Sequence, residues 1–500
     1  MKLCIAVLLI QSFLISVPYG NVSAKESETN ANLVSVFSFG MGMYGKLGHG
    51  DTANQLAPKK IEGLSDIQAI AAGTNHSLAL TKSGDVYSFG LGLFGRLGHG
   101  DTDSQLEPKK IEGLSDIQAI AAGDFHSLAL TKSGDVYSFG NGTSGLGHGN
   151  TEDQSTPKKI ESLSDVQAIA AGSKHSLALT KSGDVYSFGR GMYGRLGHGN
   201  TENQPKPKKI EGLSDIQAIA AGDFHSLALT KSGDVYSFGR GRYGQLGHGD
   251  TEDQYTPKKI ESLSDIQAIA AGDNHSLALT VSGDVYSFGY GRYGQLGHGN
   301  TDSQLITPKK IEGLSDIQAI AAGDNHSLAL TKSGDVYSFG RGMYGQLGHG
   351  DKENQLTPKK IEGLADIQAI AAGEDQSLAL TKSGDVYSFG RGMYGRLGHG
   401  NTEDQSTPKK IESLSDVQAI AAGGNHSLAL TKSGDVYSFG YGRYGQLGHG
   451  DTEDQPTPKK IEGLSDIQLI AGGDYHSLAL IVEAPPQPAC RRQRETGKWS

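Results

Sequence analysis

The sequence predicts an all-β protein, a β-propeller of four-stranded blades, and three observations predict it. A unit of 49 to 51 residues recurs nine times along 500 residues. The apolar positions of that unit alternate with period two, and the two ends of the array are complementary parts of one unit. One copy, 231–280, runs "KSGDVYSFGRGRYGQLGHGDTEDQYTPKKIESLSDIQAIAAGDNHSLALT". The 72 glycines, well above ordinary usage, fit repeated tight turns.

Taken in order, "HSLALT" and "DVYSFG" alternate as half-buried strands do, and "KSGD" between them supplies hairpin-turn chemistry. "DIQAIAAG" is a third short strand. "PKKIEGL" is a weaker fourth, opened by a proline that suits a strand start or a sheet edge. No window of a dozen residues keeps helical spacing without a glycine or proline, so helices are expected to be nearly absent. One unit cannot cover its own sheet faces, so neighbouring sheets must stack on one another. "LVSVFSFG", from Leu33, is a last strand standing alone, and the final copy stops at "HSLALIVE", which lacks that strand. The first strand is therefore expected to complete the last sheet and close the ring. A seven-bladed ring with extra units and an open spiral are the alternatives.

Residues 1–24, "MKLCIAVLLIQSFLISVPYGNVSA", read as an export signal cleaved after Ala24, which predicts a secreted, extracellular or periplasmic protein. A short segment 25–32 precedes the repeat domain, 33–482, and a proline-rich, then basic tail follows, 483–500. Loss of Lys2 with the signal takes the formal charge from −10 to −11, which disfavours nucleic acid or an anionic membrane as partner. Cys4 leaves with the signal and Cys490 is alone in the tail, so no internal disulfide is expected.

Nine copies of G-x-G-x-x-G begin at Gly40, Gly90, Gly140, Gly189, Gly239, Gly289, Gly340, Gly390 and Gly440. A dinucleotide site needs a helix after this pattern, and "LGHGDTEDQ" has no helical period, so the glycines are expected to serve a turn and no cofactor is expected. All 17 histidines fall in two slots, nine in LGHG and eight before SLAL, where one copy has Gln376 instead. Equivalent positions with identical neighbours point to hydrogen bonding within or between blades rather than to a metal or a catalytic group. The "GDTEDQ" loop lacks the glycine and glutamate of a calcium hand.

"GDVYSFGRGRYGQLGHGD" with "AAGDNHSLALT" resembles the repeat of the regulator of chromosome condensation family, over roughly residues 33–482. The resemblance implies a β-propeller, usually seven-bladed; nine units depart from that number.

Ten of the thirteen arginines lie in the loop after SFG: Arg96, Arg190, Arg195, Arg240, Arg242, Arg292, Arg341, Arg391, Arg396 and Arg443. Equivalent loops emerge on one side of a ring, so an arginine-rich face with tyrosines is expected, the composition of a protein-binding patch. The slots that differ between copies are the candidate partner contacts: Arg190, Arg240, Arg242, Tyr290, Arg292, Arg341, Arg391, Tyr441 and Arg443, and, before the histidine, Phe125, Phe224 and Tyr475. The recurrent tyrosine itself is expected to wedge between blades. The leading reading is a monomeric scaffold for a protein partner, similar to the secreted inhibitor propellers of this family. The alternative implied by the resemblance is a guanine nucleotide exchange factor of a small GTPase. The resemblance to the plant ultraviolet receptor is set aside, because the single tryptophan, Trp499, is in the tail. No nucleophile, base and orienter stand out from the repeated background, so no enzyme is expected.

Overall fold

A computed structural model describes residues 33–483 except 223, 243, 245, 262, 272–274, 303 and 473–475. The expected export signal, the segment 25–32, Cys490, Trp499 and Tyr475 lie outside the described residues. Strands Ile67–Ala72, His76–Thr81, Val86–Gly90 and Gln105–Lys110 form the first blade, antiparallel and in that spatial order. Seven further sheets of the same order span 117–159, 166–209, 216–259, 266–310, 317–360, 367–410 and 417–460. The ninth is assembled from both chain ends: Ile467–Gly472 and His476–Glu483, then Leu33–Gly40 and Gln55–Lys60. Leu33–Gly40 zips onto His476–Glu483 in unbroken register, from Leu33 opposite Glu483 to Gly40 opposite His476. The ring is closed and nine-bladed, and the strands are where the period-two alternation put three of every four. Among the described residues the helices are five single 3-10 turns of three residues.

The fourth strand differs from the sequence expectation. It runs over Gln-x-x-Pro-Lys-Lys, as in Gln105–Lys110, and ends before the Ile-Glu-Gly-Leu segment. The proline is inside it because the strand bulges: Ser88 faces Lys109 and Gly90 faces Gln105, which leaves Leu106 to Pro108 unpaired where no ladder N–H is needed. The bulge also frees a carbonyl. Gly50 of the ninth blade donates its N–H to Leu106 O of the first blade at 2.8 Å, and the second glycine of every LGHG repeats this clasp, up to Gly450 on Leu56 O at 2.7 Å.

The core lies between blades. Leu78, Leu80 and Val86 of the first blade pack with Ile111, Leu114, Ile117 and Phe139 reaching from its boundary into the second. Each junction has such a cluster, so every sheet is covered on both faces by its neighbours. At the end of the ring carrying the KSGD hairpins, Asp85 meets Lys110 at 2.8 Å, and the later blades repeat the pair. In these eight blades the second lysine of KK is thus tied to its own blade's hairpin.

Candidate functional site

Both histidine slots use one device. Ser88 Oγ donates to Leu97 O at 2.6 Å, so it must accept from His99 Nε2 at 2.8 Å; each LGHG histidine meets the serine of its own SFG in this way. The other slot acts between blades. Ser127 Oγ of the second blade donates to Arg96 O and accepts from His76 Nε2 of the first, each at 2.9 Å. His126, His175, His275, His326 and His426 repeat the bridge. These rings therefore carry their proton on Nε2, and their buried Nδ1 atoms have no hydrogen-bond partner among the described residues. Gln376 replaces the bridge by donating to Gly423 O at 3.2 Å. Burial pulls the histidines down, His76, His326 and His426 to about 3 and His126 and His275 to about 4.

At the end of the ring opposite the KSGD hairpins, the loop after SFG and the loop before each histidine emerge together. The three glycines of G-x-G-x-x-G build the first of these loops for three different reasons. Gly390 turns the chain at φ +111°. Gly392 has an ordinary φ of −90° but lies so close to the returning chain that a Cβ would stand 1.9 Å from Glu403 O. Gly395, at φ +77°, abuts Pro456 of the next blade, where a Cβ would meet its Cα at 2.3 Å. Gly392→Ala should therefore cost about 3 kcal/mol by forced loop displacement. Gly363, with open space around it but φ +82°, should cost about 1 kcal/mol as alanine, checked by urea titration.

The residue after the third glycine sets the loop's shape. Arg96, Arg195 and Arg396 are at most 1% exposed, so these three are not part of the outer face. Their Nε atoms donate to the carbonyls of Leu93, Met192 and Met393, and Arg96 Nη1 also reaches Asp124 O of the next blade at 2.7 Å. In these loops the aromatic residue takes a left-handed backbone, at φ +68° for Phe94, +66° for Tyr193 and +65° for Tyr394. Where glutamine stands instead, Gln295, Gln346 and Gln446 accept the amide N–H of Tyr293, Tyr344 and Tyr444, and that backbone strain is absent.

The candidate contact residues are brought to one face. Arg242, Arg292 and Arg443 are exposed at its crest, while Arg190 is half-buried. Arg240 lies over Tyr193 at 4.9 Å and Phe224 at 5.3 Å, and Phe125 packs on Phe94 and Arg96. Arg341 lies between Tyr293 and Tyr344, Arg391 lies over Tyr344 at 4.7 Å, and Asp375 pairs with both arginines at 3.8 and 3.3 Å. Tyr290 meets Tyr293 edge-on at 6.4 Å, and Tyr441 meets Tyr394 at 4.6 Å with the rings tilted by 48°. The recurrent aromatic does bridge blades, as Tyr193 on Phe224 shows at 5.6 Å, but it does so at the surface rather than in the core.

Two features of the face extend the sequence reading. The slot after the middle glycine carries Met43, Leu93, Met343 and Met393, 38% to 51% exposed, and with Tyr44 they supply five of the seven exposed large apolar side chains among the described residues. The signal was present, since methionine or leucine stands in that slot in five copies and arginine in three. The second feature is an acidic rim. The Thr-Glu-Asp-Gln segment runs outward to the fourth strand, and its aspartates, such as Asp404 and Asp454, accept the N–H of the middle glycine at 3.0 and 2.9 Å. Arginine and aromatic rings thus stand inside a ring of carboxylates, and the face is mixed in charge rather than basic. Among the described residues no group of three or more acidic, histidine or cysteine side chains is placed to hold a metal ion.

Comparison with known proteins places this arrangement. A family model described as RCC1-like domain matches residues 21–268 and 214–479. One repeat is 49% identical over 51 residues to the E3 ubiquitin-protein ligase HERC2 of Homo sapiens, covering 10% of this chain and 1% of that one. Another match, 53% over 51 residues, is to the Protein RCC2 homolog of Danio rerio, 10% of each chain. These matches span a tenth or less of the relatives' own length. The structure of Prp20p from Saccharomyces cerevisiae, described with its binding to Gsp1p and histones, aligns over 92% of this chain and 93% of that one, with TM-score 0.52 and 24% identity. The chain belongs to the RCC1-like domain family.

Proposed function

We propose that the protein is an interaction scaffold that grips a partner protein by the crest of the loop face, and that it works outside the cytoplasm after cleavage behind Ala24. The observation that carries this reading is the crest itself. Exposed methionines and a leucine share the crest with exposed arginines on a closed ring; methionine and arginine are enriched at protein interfaces, and arginine is among the residues that carry most of the binding energy there. Prp20p, of the same fold, is described as binding two proteins, which supports a protein partner without naming it. Regulation of a small GTPase is the second reading, favoured by family membership and read out by nucleotide release. Partner captured from the native compartment and purified should lose at least tenfold affinity to the quadruple variant Arg242→Ala, Arg292→Ala, Met343→Ala, Met393→Ala. Lys132→Ala and Lys332→Ala, beside the KSGD turns, should leave it unchanged. Equal binding by the crest variant would remove this face from consideration.

A further inference from the structure

Near-identical repeats make departures informative, and one of them bears on the loop face in the blades at 317–360, 367–410 and 417–460. The second residue of the acidic loop is threonine in eight copies and Lys352 in the ninth. Lys352 reaches across the junction, and its Nζ lies 2.7 Å from Asp404 Oδ2 of the next blade. One junction further on, Thr402 replaces the lysine and Asp454 holds the place of Asp404. There the surface opens into a hollow of about 540 Å³, walled by Tyr344, Tyr394 and Met393 and edged by Thr402, Asp404 and Asp454.

The two carboxylates at this hollow are not equally paired. Arg391, also on its wall, pairs with Asp375 at 3.3 Å and lies over Tyr344. Asp404 is neutralised by Lys352. Asp454 accepts only a neutral amide, Gly442 N–H at 2.9 Å, and has no ion pair among the described residues. One carboxylate is therefore left facing a cavity with an aromatic and thioether lining. That combination suits a cation carried on an apolar stem.

We propose that this hollow seats a lysine side chain of the partner, with its ammonium on Asp454 as Lys352 is on Asp404 and its methylenes against Met393 and Tyr394. Lysine is chosen on the precedent one junction back, where Asp404 accepts Gly392 N–H on Oδ1 and Lys352 on Oδ2, the arrangement Asp454 repeats with Gly442 and no lysine. The inference rests on the scaffold reading and adds the chemistry of one contact.

The test uses the full chain labelled at its methionine methyl groups, of which there are six, so Met393 can be assigned with Met393→Leu. N-acetyl-lysine methylamide should shift the Met393 methyl resonance saturably, and the neutral Nε-acetylated analogue should not. The shift should vanish in Asp454→Asn and in Thr402→Lys, where the chain fills its own hollow. Lys352→Thr should open the preceding hollow, so that Met343 responds as well. A Met393 resonance that ignores the probe, or moves equally in Asp454→Asn, overturns the proposal. With the purified partner, unchanged affinity in Thr402→Lys overturns the lysine seat while the scaffold reading stands. Crest substitutions without effect overturn the scaffold reading itself, whether or not Met393 responds.

Discussion

Stability should fall steeply between pH 6.5 and pH 4, and the buried histidines should be the cause, the interblade rings together with LGHG rings such as His198, His298 and His399, which burial also holds at about 4. Each bridging ring carries its proton on Nε2 and holds a buried, unpartnered Nδ1, so a second proton would create a buried cation with no acceptor. Burial accordingly holds His76, His326 and His426 down at about 3, and His126 and His275 at about 4. In the unfolded chain the same rings titrate near 6.5, so below that pH the unfolded state binds more protons and stability must drop with pH. The stabilisation is complete above 6.5 and is lost progressively as pH falls toward the folded values. At pH 5 each of these five histidines should cost about 2 kcal/mol, about 10 kcal/mol together, comparable with the whole stability of an ordinary domain. The ion-paired aspartates such as Asp85, held below 3.8 by lysine, act at lower pH and do not produce this window. Calorimetric Tm against pH checks the slope, and a Tm flat from pH 7 to 5 refutes it. The chain contains its own control, because Gln376 fills the slot without titrating. Replacing His326 with glutamine should lower the proton uptake on unfolding by about one at pH 5.

How much of this was legible in the sequence depends on whether a side chain's partner lies in its own repeat. Three strands of each blade follow from alternation alone, and the closure follows from the unmatched strand at Leu33. The glycine pattern was legible as a turn because no helix follows it. The obstacle at Gly392 was not legible, since its φ is ordinary and the clash is with Glu403 O on a chain returning eleven residues later. The fourth strand was misplaced because a proline inside a bulge looks, in one dimension, like a strand's beginning. The histidines read correctly as structural, yet the serine serving His76 is 51 residues away, and identical repeats leave the choice of copy open. Arg96, Arg195 and Arg396 looked like the other loop arginines because sequence gives a slot and not a direction. Three residues along the loop separate a guanidinium at the crest from one buried beneath it.

Ring closure offers the sharpest contrast between chemically equal substitutions. Phe39 and Phe389 occupy the same place in their blades and are at most 1% exposed. Phe39 packs on Leu428, Leu430, Val436, Ile461 and Leu464 of the eighth blade, while Val36 on the same strand packs on Ile61, Leu64 and Phe89 toward the first. This one strand therefore joins the ring on both sides. Truncating either phenylalanine to alanine should cost about 3 to 5 kcal/mol from lost burial and the cavity left behind. The route to unfolding should differ. Around Phe389 the sheet is continuous along the chain from Ile367 to Lys410, so its strands stay tethered when packing weakens. Strand Leu33–Gly40 is tied to His476–Glu483 by ladder hydrogen bonds and packing without a connecting turn. Phe39→Ala should accordingly open the ring locally before the other blades unfold, because separating the two ends recovers chain entropy at once. Native-state hydrogen exchange reads this directly, as early loss of protection at Val34–Gly40 and Ser477–Leu480 in Phe39→Ala and not in Phe389→Ala. If both variants lose protection uniformly around the ring, closure is no weaker than any other junction, and the blades unfold as a single unit.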